Sequence, residues 1–132
     1  MPGTTGPLTT TDLADALRAH AKGLYCTQAA ADLLIAHHSW LHRTDFTSHF
    51  IWPEPAHTNR TPAASVDWPA AITALDYGHL PCSSSEDHVL RIVASLADGI
   101  PVALRDVLSG LDPLNSDRVV AAIRHTTGQP TP

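Results

Sequence analysis

The chain has 132 residues, enough for one compact domain, and 43% of them are hydrophobic against 16% charged, a globular balance that excludes a disordered polypeptide. No run approaches the roughly 18 apolar residues of a membrane span. Eight basic residues against thirteen acidic ones, net −5 with histidine neutral, argue against a surface made for nonspecific polyanion binding, which needs excess positive charge. Residues 1–10 read as a flexible leader that lacks the basic start and apolar core of a signal peptide. Cys26 and Cys82 form no zinc-ribbon spacing and read as buried small hydrophobes. A cytoplasmic protein with reduced thiols is expected.

The first helix is expected from a cap at Thr11 to Lys22, with Leu13, Leu17 and Ala21 one turn apart and Gly23 as the stop. A second runs from Cys26 or Thr27 through His38, with Ala31, Leu34, Ile35 and His38 on one stripe. "SWLHRTDFTSHFIW" reads as a short third helix capped by Ser39 or Thr44 and stopped by Pro53. Three prolines and no apolar period mark 53–66 as an exposed linker. Beyond it, Asp67 caps "WPAAITALDYG", and Ser83 with Glu86 has the spacing of a capping box for a helix buried through Leu90, Val93 and Leu96 or Ala97. Pro101 opens a sixth helix with Val107, Leu108 and Leu111 inward, and Asp112 and Pro113 launch a seventh that ends at Gly128. Segments of alternating polarity are nearly absent. The fold class is therefore all-α: a compact bundle of about six or seven short helices in two halves, 11–52 and 67–128, with a short tail at 129–132.

Four histidines and an aspartate crowd into "AHHSWLHRTDFTSHF". On one uninterrupted helix His38, His42, Asp45 and His49 would share an arc of about 60°, a usable ligand geometry for zinc or a similar ion. Trp40, Leu41, Phe46 and Phe50 form no single apolar face on such a helix, and Thr44 with Asp45 looks like a new start, so a bend between His42 and Asp45 is expected and no metal with it. A second expectation is acid sensitivity: His37, His38 and His42 on adjacent turns would repel once charged and loosen the third helix.

Ser83, Ser84 and Ser85 lie beside Asp87 and His88, but triads assemble from separate elements, and no G-x-S-x-G turn exposes a nucleophile. No phosphate-loop pattern occurs either. No catalytic residue and no cofactor is expected.

"HVLRIVASLADGIPVALRDVLSGLDPLNSDRVVAAIRH" resembles the three-helix core of winged-helix and helix-turn-helix proteins, with Gly110 and Leu111 in the turn. "TQAAADLLIAHHSWLHR" is similar to the opening helices of small excisionase-type DNA readers, with Ile35 where their turn glycine stands. The resemblance implies DNA as a partner, with Arg43, Arg118 and Arg124 as first contacts. From Ser83 onward, however, four arginines oppose six acids. The expectation carried forward is a non-catalytic helical protein acting by contact with a protein partner or a second copy of itself, with Trp40, Trp52 and Trp68 as interface anchors. A DNA-binding regulator and a histidine-cluster metal protein are the alternatives.

Overall fold

The structure is a computed structural model that describes residues 9–54 and 62–128. Helix α1 spans Thr10–Ala21. Its cap is Thr9 rather than Thr11, because only Thr9 has an acid at the third helical position: Thr9 Oγ1 accepts from the Asp12 amide and the Asp12 carboxylate accepts from the Thr9 amide. Helix α2, Tyr25–His37, ends one residue earlier than expected, at a left-handed His38 (φ 58°). That backbone turn moves the imidazoles: His37 is buried and His38 exposed, the reverse of the stripe read from the sequence. A 3₁₀ turn over Ser39–His42 and an extended Arg43 separate α2 from α3, Thr44–Phe50.

The run 53–66 is not wholly an exposed connector. Strands β1, Ile51–Pro53, and β2, Ala64–Val66, pair antiparallel with Ile51 opposite Val66 and Pro53 opposite Ala64. Bonds from the Glu54 amide to Ala63 (2.9 Å) and from the Asp67 amide to Phe50 (2.8 Å) prolong the ladder. Pro53 is tolerated because each strand of a two-stranded sheet has a free edge, and Ala64 joins the core at 2% exposure. Residues 55–61, like the expected leader and tail at 1–8 and 129–132, lie outside the described residues.

Helix α4, Trp68–Asp76, starts at an Asp67 cap with Pro69 in the first turn, and α5, Ser84–Asp98, starts at the Ser83–Glu86 capping box, with both reciprocal bonds formed. Gly99 closes α5 in a left-handed conformation (φ 68°) that glycine adopts without steric penalty. Helix α6 is shorter than expected, Leu104–Leu108, because Pro101 lies three residues ahead of it rather than in its first turn. Helix α7 is Pro113–Thr126, capped by Asp112, whose carboxylate accepts from the Asn115 amide.

The architecture is a compact all-α bundle of seven helices with one small two-stranded sheet among the described residues. The centre is α2, which packs against α1, α5 and α7. Its small side chains Ala29, Ala30 and Ala31 let neighbouring helices approach closely, while Leu33 and Leu34 fill the space between them. Around the first turn of α5 the core becomes aromatic. Phe46 stacks at a tilt on Trp40 (5.3 Å between ring centroids) and faces Phe50 and Trp68, and the Trp40 indole N–H donates to the Glu86 carbonyl at 3.0 Å. None of the described helices is long and apolar enough to cross a membrane.

Candidate functional site

The sequence-derived histidine cluster does not assemble. His38 sits on the left-handed residue and its ring meets that of His42 edge-on at 5.7 Å, while His42 Nδ1 lies 3.5 Å from Thr10 Oγ1. Asp45 is engaged by Arg43 through bonds of 3.0 and 2.6 Å, and that hydrogen bonding holds its carboxyl below the usual carboxylate range. His49 Nδ1 donates to the Asp45 carbonyl at 3.1 Å. Among the described residues, no three His, Cys, Asp or Glu side chains come together in a way that could hold a metal ion. The break between the two segments, a four-residue 3₁₀ turn followed by the extended Arg43, removes the shared arc that a continuous helix would have supplied.

The tryptophans divide. Of the three expected interface anchors, Trp40 (0% exposed) and Trp68 (7%) lie in the core of the chain, while Trp52 on β1 is 56% exposed. The arginines divide too. Arg43 lies against the Trp40 ring, 4.5 Å from its centroid, and is tied to Asp45; Arg118 donates to the Asn115 side chain at 3.0 Å; Arg124 is exposed in the last turn of α7. The cysteines also depart from expectation. Cys26 is exposed because α2 begins at Tyr25 and leaves its first turn in solvent, and Cys82 is half-buried, its thiol pKa raised chiefly by burial.

The surface that stands out is formed by α6 and α7. Of nine large hydrophobic side chains that are exposed among the described residues, five fall between residues 104 and 123: Leu104, Leu108, Leu114, Val120 and Ile123. Leu108, expected inward, is 39% exposed, because the five-residue α6 has room for one inward position and Val107 takes it. Helix α7 buries only Asn115, Val119 and Ala122 and rests on α2. At 100° per residue, Val120 and Ile123 stand on one exposed flank of α7 with Ser116 between them and Asp117 and Arg124 beside Val120, whereas Leu114 projects from the opposite flank.

Behind this surface lies a buried polar cluster that fixes α7 in place. Asn115 is 6% exposed; its Nδ2 donates to Ser85 Oγ at 2.8 Å, and its Oδ1 accepts from Arg118 Nη1 at 3.0 Å, so the start of α7 is joined to the start of α5. At the other end of α7, His125 Nε2 donates to Gln28 Oε1 at 2.8 Å and its ring meets Tyr25 edge-on. His37, also 6% exposed, sits where α2 ends, and its Nδ1 has no partner among the described residues. Burial, and after it the charge of Arg118, hold His37 below the ordinary histidine pKa, against the opposing pull of Glu86 and Asp112. Nothing in the sequence marks Asn115 as buried. An asparagine three residues after a cap reads as exposed, and only the contact with Ser85, thirty residues away, reveals its role. The unfilled apolar flank of α7 was legible in principle, since Val120 and Ile123 fall off the stripe that Val119 and Ala122 occupy.

Compared with protein-family models, with curated proteins and with solved structures, the chain finds no match.

Proposed function

We propose that this chain is a non-catalytic interaction protein whose working surface is the exposed side of α6 and α7, and that the partner this surface fits is a second copy of the chain. The carrying observation is that Val120 and Ile123, 53% and 48% exposed, stand together on one flank of α7. Exposed apolar side chains scattered singly are ordinary, but clusters of them are characteristic of protein-binding surfaces. The charges supply the choice of partner. Asp117 and Arg124 lie at equal sequence distances on either side of the boundary between Val120 and Ala121. In a two-fold antiparallel pair of α7 helices centred there, Asp117 of each copy meets Arg124 of the other while Val120 and Ile123 fill the seam.

Sedimentation equilibrium over a wide range of concentration tests this. A monomer–dimer equilibrium is expected, with Val120→Glu restoring the monomer. Arg124→Asp is expected to weaken the dimer, and adding Asp117→Arg to that variant is expected to recover it. A monomer at every concentration overturns the proposal.

A further inference from the structure

A cavity of about 160 Å³ opens between α1, α2, α5, β2 and the start of α4, where Trp68 of the aromatic cluster forms part of its wall. Its floor is apolar: Leu17, Ala30, Leu34 and Trp68 line it and none is more than 7% exposed. The cavity exists because the positions facing it on α2 and α5 carry alanines, which leave space that larger side chains would fill. A volume of roughly 150 Å³ accepts a benzene-sized molecule, and this cavity opens to solvent on the side of its polar rim. The rim differs from the floor. Asp98 stands there at the C-terminal end of α5, and His20 near the C-terminal end of α1, its Nδ1 donating to Glu54 at 2.9 Å. The carbonyl ends of two helices therefore converge on the mouth together with the Asp98 carboxylate, against the single N-terminal turn of α2 that brings Thr27 to the rim. Both effects favour a positive charge at the opening.

We propose that this cavity is a binding site for a small single-ring arylalkylamine, the ring seated against Leu17, Leu34 and Trp68 and the ammonium group at the Asp98 carboxylate. The ring matches the volume and the apolar floor; the charge matches the rim. The site is independent of the α6–α7 surface, so either assignment can fail without the other.

Benzylamine titrated into the full chain tests the proposal, read from the amide and indole resonances in ¹H–¹⁵N NMR spectra. Saturable shifts are expected at the Trp68 indole and at the Ala30 and Leu34 amides. Benzoate, with the same ring and the opposite charge, and methylamine, with the charge and no ring, are expected to bind several-fold more weakly. Asp98 is exposed, so Asp98→Asn leaves folding intact and is expected to reduce benzylamine affinity by about fivefold, the upper range for a solvent-exposed ion pair. Ala97→Leu, which places a larger side chain on the cavity wall, is expected to abolish the Trp68 shift while keeping the helical circular-dichroism spectrum. Absence of saturable shifts with benzylamine, equal binding of benzoate, or unchanged affinity in Asp98→Asn overturns the proposal.

Discussion

Helices α5 and α7 carry the same local signals and reach opposite ends. Each starts at an acidic or hydroxyl cap, Ser83 or Asp112, and they are 15 and 14 residues long. Yet α5 buries Val89, Leu90, Ile92, Val93 and Ala94, a wide face set into the core, while α7 buries three residues, one of them polar, and leaves Leu114, Val120 and Ile123 outside. Capping and propensity decide that a segment is helical. How much of its apolar surface is used depends on how many neighbours it has, and α7 rests chiefly on α2. A helix held by a narrow face and one hydrogen-bonded asparagine retains apolar surface for something else.

The contrast can be broken most directly in the core. Leu90→Ala removes a fully buried side chain and is expected to cost about 2–5 kcal/mol in urea denaturation. The caps are expected to behave alike in spite of the different helices they serve: Ser83→Ala and Asp112→Ala should each cost about 0.5–2 kcal/mol by the same measurement. A cost confined to Ser83 would mean that α7 is held by its docking on α2 and not by its cap.

Acid sharpens the comparison at the point where the two helices meet α2. His37 titrates below the ordinary value in the fold because it is buried and faces Arg118, with His38 adding to that effect and Glu86 and Asp112 opposing it. The unfolded chain takes up this proton as pH falls below about 6.5, before the folded chain does, so stability is complete above that value and is lost as pH falls toward the folded-state pKa. Denaturation midpoints at pH 7.5 and 5.5 should therefore differ more in the wild-type chain than in His37→Asn. Of the three imidazoles expected to repel one another, His37 is buried while His38 and His42 are exposed. The smallest effect belongs to the surface. Val120→Ala is expected to change monomer stability by no more than about 0.5 kcal/mol, as substitutions outside the packed core do. Set beside Leu90→Ala, it measures directly how differently the two helices use their apolar residues.

Much of the element pattern was legible because it is local. The Asp67, Ser83 and Asp112 caps and the glycines expected to end helices depend on residues a few positions apart, and Gly23, Gly78, Gly99 and Gly128 adopt positive φ whereas Gly110, expected to stop the sixth helix, does not. Where competing local signals lay close together the boundaries moved, as at Thr9 against Thr11 and at Pro101 ahead of α6. The strand pair was hidden because Ile51–Pro53 and Ala64–Val66 gain their hydrogen bonds only from each other, across a proline-rich stretch with no alternation to reveal them. The candidate site was less legible than the fold. Trp40 and Trp68 look like anchors in a one-dimensional reading, and their burial follows from the packing of α3, α4 and α5 around Phe46.

By itself, the order of side chains determined that this protein is helical, roughly where its helices begin and end, and that its net charge is negative, because caps and glycine stops act within a turn or two of the chain and charge follows from composition alone. Tertiary structure alone decided that His37 and not His38 is buried, that Asn115 links α7 to Ser85, that the Val120 and Ile123 flank stays open, and that alanines of α2 and α5 leave a cavity beside Trp68. Those outcomes depend on which segments lie side by side, and burial is a property of neighbours in space rather than neighbours in sequence.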